Sequence, residues 1–332
     1  MLKRIRNFPE TNILSALVVM IAIFGLATPA FLSEINVLSV LRTLAFYGIV
    51  AVGHTLVMIG GDIDISVGST AGLGSVLSAH LMMQTNVFGM LGTSNEWLGV
   101  ILIMILTMII CSLVGVVNAT LVVILKIPPF IATISTLYAV RGVVMVISRG
   151  LTIFPLPPFF VEFFGRTELR ITEAGGFSVA FLLFVFFAVF LEYMLRRSTF
   201  GRNLYATGSN REVAELSGIN TKRVRFINYM IAAALAALAG MLVASFIGKG
   251  YPPTGLGWEL WIVAATVIGG ISLKGGAGSI IGTVIGVFIM NVLNNGLVML
   301  QINTFLQHSV LGATILVAVY LDIRRRSKKI VS

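Results

Sequence analysis

Ionisable and thiol side chains are scarce in this sequence. Its 332 residues hold 13 Asp and Glu, three His and one Cys, and charged residues make up only 11%. The single cysteine, Cys111, cannot close a disulfide within the chain and lies in an apolar run, so it reads as packing. No pair among His54, His80 and His308 has metal-ligand spacing, and no metal site is expected. An average soluble domain carries about 25% charged residues, so a water-soluble globular enzyme is excluded, as is disorder. No Gly-x-x-x-x-Gly-Lys-Ser/Thr phosphate loop is present; Lys274 follows Gly269-Gly270 at the wrong spacing. The chain is therefore not expected to hydrolyse ATP or to hold a cofactor. No paired acid–base or nucleophile constellation supports a membrane enzyme either, and no catalytic residue is assigned.

What is abundant is apolar surface: 57% of residues are hydrophobic, and the mean hydropathy is +1.00. Ten apolar runs can be drawn, near 12–31, 36–60, 66–83, 98–125, 129–148, 176–195, 226–247, 258–273, 279–300 and 304–322. A spanning helix needs ~20 such residues. The runs are continuous and do not alternate, which excludes a β-barrel. The expected fold is all-α, a polytopic transmembrane bundle of about ten spans forming one domain over 1–332. The first run follows Lys3, Arg4 and Arg6 and ends near Ala27-Thr28-Pro29-Ala30, like a secretory signal. Its length and the runs behind it favour an uncleaved signal anchor.

Ten spans put both termini on one side. That side then carries 17 of the 23 Lys and Arg residues: those at the two ends, Lys126, Lys274 and seven within 196–225. The other side carries Arg149, Arg166, Arg170 and Lys249. The bias predicts cytoplasmic termini. In a soluble protein a net charge of +10 would point to nucleic acid, but no basic face is interleaved with aromatics and no nucleic acid is expected. The connection 149–175, with Pro155, Pro157 and Pro158, is expected to be an ordered outer loop with a short interfacial helix.

Polar groups inside apolar runs are candidates for function. Asp62 and Asp64 follow a Gly-Gly break and lead to Ser66. Capping of the third helix is their first reading, substrate contact or gating the second. Arg42 is expected to snorkel outward, and Arg141 to pair with an acid, Asp62 or Asp64 among them, or with a helix end. His54 reads as a satisfied hydrogen-bonder. Asn118, Asn291, Asn294 and Asn295 read as helix-to-helix glue or as the polar lining of a pore. His54, Asp62, Asp64, Ser66 and these four asparagines are the candidates for a translocation path or gate. Trp258 and Trp261 are expected as interfacial anchors beside Glu259 at the outer start of the eighth run. Gly278, Gly282 and Gly286 form a small-residue ladder suited to internal packing. Ile59-Gly60-Gly61 before Gly68-Ser69 is echoed by Ile268-Gly269-Gly270 before Gly278-Ser279, a short match that would fit two related halves.

The cytoplasmic loop 196–225 is the most informative stretch. Ser209 followed by Glu212 reads as a capping box, Val213 and Leu216 share a face, and Gly218 suits a helix stop. The spacing predicts a helix near 209–218 of about two turns, too short to stand alone. It docks either on its own bundle or in a groove on a cytoplasmic partner.

The stretch Phe200-Gly201-Arg202-Asn203-Leu204-Tyr205-Ala206-Thr207-Gly208-Ser209-Asn210, with Ala214 and Leu216-Ser217-Gly218-Ile219, resembles the coupling region of ribose-type (monosaccharide) permeases, the membrane subunits of bacterial ATP-binding-cassette importers. Gly60 to Ser69, Lys126 to Thr133 with Arg141-Gly142, and Val267 to Gly276 resemble three further elements of that family, in order. Asp62 stands where the family form has Gly. The resemblance implies a multi-pass protein of the bacterial inner membrane and a homo- or heterodimer of permease chains set in lipid. It implies partner ABC ATPase subunits that carry ATP and Mg, and a periplasmic or lipid-anchored sugar-binding protein. It also implies that Ser209, Asn210, Arg211, Glu212, Val213, Glu215, Leu216 and Gly218 couple to the ATPase. An ABC permease for a nucleoside, an autoinducer or a branched-chain amino acid is the first alternative. An ion-coupled carrier is the second; Asp62 and Asp64 could titrate for it, but the capped loop would then lack a reason.

Overall fold

The computed structural model describes residues 11–83, 95–172 and 175–303, with scattered positions between 305 and 320. The terminal basic clusters and His308 lie outside the described residues. The order is α1 (Thr11–Ala27), a 3-10 turn (Pro29–Leu32), α2 (Glu34–Ile59), α3 (Val67–Met83), α4 (Glu96–Ala119) running into a π-helical turn (Thr120–Ile124), and α5 (Pro129–Ser148). A second π-helical segment (Phe160–Arg166) and strands β1 (Glu168–Thr172) and β2 (Gly175–Ser178) follow. Then come α6 (Val179–Arg197), α7 (Thr199–Ser209), α8 (Arg211–Leu216), α9 (Thr221–Ile247), α10 (Trp258–Ile268) and α11 (Ile280–Met299).

Six helices are long and apolar enough to cross a membrane: Glu34–Ile59, Glu96–Ile124, Pro129–Ser148, Val179–Arg197, Thr221–Ile247 and Ile280–Met299. The run expected at 258–273 yields only the 11 residues of α10. At 1.5 Å per residue that is about 16 Å, against a hydrocarbon core of ~30 Å. Its bounds are set by glycines, Gly257 in the left-handed region before it and Gly269-Gly270 after it.

The all-α expectation needs one correction. Between the outer π-helical segment and α6 the chain forms an antiparallel hairpin, pairing Glu168 with Ser178, Leu169 with Phe177 and Arg170 with Gly176. The run expected to be helical from 176 therefore starts at Val179, where the Ser178 side chain accepts from the Phe181 N–H.

α9 is the central helix and packs against α2, α3 and α4. Its buried side is largely alanine, including Ala232, Ala233, Ala236, Ala237, Ala239 and Ala244. Lipid tails are as apolar as any side chain, so helices in a bilayer gain by close backbone approach, which small residues allow. A methyl group added at Gly240 would sit 1.8 Å from the Ala71 carbonyl oxygen, and one at Gly74 2.4 Å from that of Ala237. Two members of the expected glycine ladder close in the same way, Gly282 facing the Gly269 carbonyl and Gly286 that of Ala265, while Gly278 precedes α11 with φ 131° and lies against Ile271.

The two Gly-Gly breaks share one geometry. At the end of α2, Gly60 N–H donates to Leu56 O, Gly61 N–H to Met58 O and Asp62 N–H to Val57 O. At the end of α10, Gly269 N–H donates to Ala265 O, Gly270 N–H to Val267 O and Ile271 N–H to Thr266 O. This is the Schellman stop, which requires the left-handed conformation at its second glycine. Gly61 and Gly270 adopt it, with φ of 81° and 91°.

Candidate functional site, the joint of the two helix breaks

The breaks meet. Gly276 N–H donates to the Ile59 carbonyl at 2.8 Å, so the loop after α10 satisfies the open end of α2. The end of α7 is laid into the same joint. A Cβ at Gly208 would lie 1.8 Å from Ile59 O and 2.6 Å from Gly276 N. One at Gly275 would lie 2.6 Å from the Gly61 Cα. Only glycine fits where three backbones touch. Beside the joint lies an open cleft of about 500 Å³ lined by Gly61, Thr207 to Glu212 and Lys274.

α8 is anchored to this joint by charge. Asp62, 3% exposed, receives two bonds from Arg225 (Nε to Oδ2, 2.7 Å; Nη2 to Oδ1, 2.8 Å) and one from Arg211 Nη2 to Oδ1 at 2.7 Å. Arg211 also reaches the Gly61 carbonyl at 3.2 Å. Arg211 opens α8, Arg225 is the fifth residue of α9, and Asp62 ends the first break. One carboxylate thus ties three elements. Asp62 is not a cap of the third helix, and Arg141 is not its partner. Arg141 donates to the carbonyls of Pro252 (3.0 Å) and Thr254 (2.9 Å), in the segment leading into α10.

The capping box expected at Ser209 is displaced by one residue. Ser209 ends α7, and Asn210 is the N-cap of α8, its side chain accepting from Val213 N–H at 3.1 Å. Asn210 competes well for this role because its amide oxygen reaches the N–H three residues on, that of Val213, as Ser209 would reach that of Glu212. Glu215 folds back to accept from the Thr221 hydroxyl at 2.5 Å. Gly218, with φ 82°, stops the helix as expected. Ala214 is buried, while Val213 and Leu216 stand 56% and 90% exposed. The apolar edge of α8 faces outward.

His54, Asp64, Ser66 and Asn118 come together in a second, fully buried cluster. Asp64 Oδ1 accepts from Ser66 N–H (2.8 Å), Ser66 Oγ (2.6 Å) and Asn118 Nδ2 (3.2 Å). His54 Nε2 accepts from Asp64 N–H at 3.4 Å, and Thr133 Oγ1 from Ile65 N–H at 3.1 Å. Asp64 Oδ2, Asn118 Oδ1 and His54 Nδ1 have no hydrogen-bond partner among the described residues. Asp64 thus organises the turn into α3, while Asp62, two residues earlier, serves the joint.

The α11 asparagines lie apart from both sites. Asn295 and Asn36 exchange amide bonds at 2.9 and 3.0 Å, Asn291 donates to Val40 O at 2.7 Å, and Asn294 is half-buried on the same helix. Arg42 does not simply snorkel: it pairs with Glu168 of the hairpin and lies over the Phe246 ring. Trp258 and Trp261 are not free anchors but pack on Tyr47 inside the bundle, with centroids 4.7 and 4.1 Å away.

In the sequence Arg225 is only one more cytoplasmic charge. No local signal marked it, since the acid it meets lies 163 residues away in the chain. Two further joint contacts carried no signal in the sequence. Tyr205 donates to the Gly278 carbonyl at 2.7 Å, and Glu192 of α6 accepts from the first N–H of α11, that of Ile280, at 2.8 Å.

Residues 36–319 match the family model described as "Branched-chain amino acid transport system / permease component". Among curated proteins, the chain is similar to the ribose import permease protein RbsC of Bacillus subtilis, 37% identical over 312 residues, 94% of this chain and 91% of the relative. It is also similar to the autoinducer 2 import system permease protein LsrC of Salmonella typhi, at 32% identity over 98% of this chain and 89% of the relative. The xylose transport system permease protein XylH of Escherichia coli matches at 32% over 97% and 94%. No solved structure matches the chain. Six membrane-length helices and a match spanning nearly the whole chain make this protein a member of that permease family, a multi-pass inner-membrane subunit of an ABC transporter whose ATPase is a separate subunit.

Proposed function

We propose that this chain is the membrane path of an importer for a small sugar, driven through α8 by cytoplasmic ATPase subunits that carry ATP and Mg. The observation that carries the reading is α8 itself. It is a capped helix with an exposed apolar edge at Val213 and Leu216, tied through Arg211 to the joint where both helix breaks meet. The sugar assignment is supported by the ribose and xylose permeases among the relatives. A neutral polyol also suits a path whose buried polar groups are amides, hydroxyls, the His54 imidazole and one carboxylate.

In this mechanism a loaded periplasmic or lipid-anchored binding protein docks outside, and ATP closes the two partner ATPases. α8 moves with them, and the permease shifts between outward and inward states. Ser209 and Gly208, wedged between the breaks, carry that motion to α2, α10 and α11. The unpartnered acceptors around Asp64 and Asn118 lie beside the first break, where solute hydroxyls would find weak, exchangeable bonds. A second permease chain completes the path. Both termini are cytoplasmic in a ten-pass arrangement. Two features support this orientation: Lys274 and the 196–225 loop gather at one end of the bundle, while the Ile153–Gly250 bridge joins the ends bearing Arg149 and Lys249.

The test is co-purification of the tagged chain in mild detergent, with bound proteins identified by mass. Leu216→Asp and Glu212→Lys change exposed side chains and are expected to lose the ATPase without loss of the folded permease. Glu215→Lys is less clean, because it also breaks the bond to Thr221. An ATPase retained by both variants, or uptake in proteoliposomes that follows an ion gradient and ignores ATP, would sink the reading.

A further inference from the structure

A groove of about 390 Å³ runs between α6 and the start of α11. Its walls are Ala188, Val189, Tyr193, Ile281, Val284 and Ile285, almost wholly apolar. Its mouth is basic: Arg196 and Arg197, in the last turn of α6, lie there with Glu192. Arg196 is held by Glu192 at 2.5 Å, and the same carboxylate takes the first N–H of α11. Arg197 is exposed and has no acidic partner among the described residues. The mouth therefore carries a net positive charge, and the N-terminal end of the 20-residue α11, which favours anions, borders it. Val189 and Tyr193 are 64% and 67% exposed on a helix of membrane length.

An apolar trough in the bilayer with a free guanidinium at its headgroup end has the chemistry of a lipid seat. Its volume is about that of one acyl chain. We propose that this groove holds one acyl chain of an anionic phospholipid, with Arg197 binding the phosphate and Arg196 beside it. Tyr193, with its apolar ring and polar hydroxyl, suits the boundary between chain and headgroup. The seat abuts the joint, since Glu192, which holds Arg196, also holds the start of α11. The inference rests on the membrane placement of α6 and α11 and is independent of which solute is carried.

Native mass spectrometry of the purified chain with any co-purifying ATPase, titrated with phosphatidylglycerol or phosphatidylcholine of the same acyl chains, tests it. Wild type is expected to retain phosphatidylglycerol in preference. Arg197→Gln should lower that preference about fivefold, the scale for one basic residue near an anionic headgroup, with total lipid retained. Ile281→Trp should displace both lipids. Both variants alter exposed or half-exposed side chains, and their melting in detergent is compared with wild type to confirm folding. Equal retention of the two lipids, or a preference unchanged in both variants, overturns the proposal. So does glycerol phosphate displacing the lipid as well as phosphatidylglycerol does, which would make this a free-phosphate site. Loss of a permease dimer in Ile281→Trp with lipid still bound would assign the groove to a second copy and overturn it too.

Discussion

Asp62→Asn isolates the charge contact that fastens α8 to the bundle. Asp62 accepts three bonds from two guanidinium groups, and asparagine replaces one acceptor oxygen by a donor facing a donor. The two arginines feel this differently. The Arg225 side chain is 9% exposed and has no water to fall back on. Removing the partner of a buried ion costs about 3–5 kcal/mol. The Arg211 side chain is 40% exposed, and an ion pair of that kind contributes about 0.2–1 kcal/mol. Asp62→Asn should therefore destabilise by about 4 kcal/mol, almost all of it through Arg225. Apparent melting in detergent at a fixed scan rate should fall by on the order of 10 °C. Arg211→Gln should lower it by about a quarter of that or less.

The decisive arm is the double replacement Asp62→Leu with Arg225→Met. An apolar pair of similar volume removes both charges together, and such swaps are often neutral. Recovery of most of the lost stability would show that the uncompensated cation, and not lost packing, was the cost. Asp62→Asn melting within a degree of wild type, or the double variant as unstable as the single, would refute the reasoning. Arg211→Gln then serves a separate purpose. It should leave the permease folded and its ATPase bound while lowering ATP-driven uptake, because it cuts the tie between α8 and the break.

Other expectations follow from the same geometry. Gly208→Ala should be among the most destabilising single-methyl additions, since its Cβ would overlap Ile59 O at 1.8 Å, whereas Gly142→Ala, with nothing within 4 Å, should be neutral or stabilising by about 0.5–1 kcal/mol; melting of the two variants side by side checks both. Asn295→Leu and Asn36→Leu should each weaken the packing of α2 on α11, and a double-mutant cycle should return a coupling of about 1 kcal/mol, in the range of interhelical polar pairs in membranes. Tyr205→Phe should cost about 1 kcal/mol at neutral pH through the lost bond to Gly278 O. Burial, and next the charge of Glu192, push the Tyr205 phenol above the ordinary value of 10.0. Its contribution is therefore complete below that value and is lost as pH rises through the folded one, so the difference from Tyr205→Phe, followed by melting at stepped alkaline pH, should narrow there.

Much of this architecture was readable because hydropathy and glycine carry strong physical constraints. Six of the ten apolar runs became helices of membrane length, and the Gly-Gly pairs marked real helix stops because only glycine adopts the second position of that stop without strain. Where the chain is bounded by local backbone preference, composition misleads. The 258–273 run is apolar throughout, yet Gly257 and Gly269 cut its helix to half a span. The hairpin was hidden for a related reason, since Gly175 to Ser178 merge with the apolar start of α6. Side-chain partners were the least legible. Asp62 and Asp64 are two residues apart and chemically alike, but Gly61 turns the chain between α2 and Asp62, so one carboxylate meets arginines from α8 and α9 and the other meets Ser66 and Asn118. No local rule gives the distance from residue 62 to residue 225. The capping box failed by one residue because Ser209 and Asn210 are both good caps, and the choice between them fell to the close fit of Gly208 against Ile59.

The contrast between α8 and the joint explains how a short helix can act over a distance. α8 buries little beyond Ala214 and is held by its Asn210 cap, the Glu215–Thr221 bond and Arg211. The joint beneath it is the opposite: backbone on backbone, with no side chain between Gly208, Ile59, Gly61 and Gly275-Gly276. Close-packed contacts of this kind do not compress, so a push on the end of α7 is passed on and not absorbed. It reaches α2 and the loop into α11 at once, because Ile59 O and Gly276 N–H are already bonded to each other. The two breaks are therefore driven together, and that is what a path opened from one side and closed from the other requires. A soft lever on a rigid fulcrum also explains the placement of Asp62. It lies where the lever is attached, and its two arginines divide the work, Arg225 fixing the carboxylate to α9 and Arg211 fastening the moving part to it.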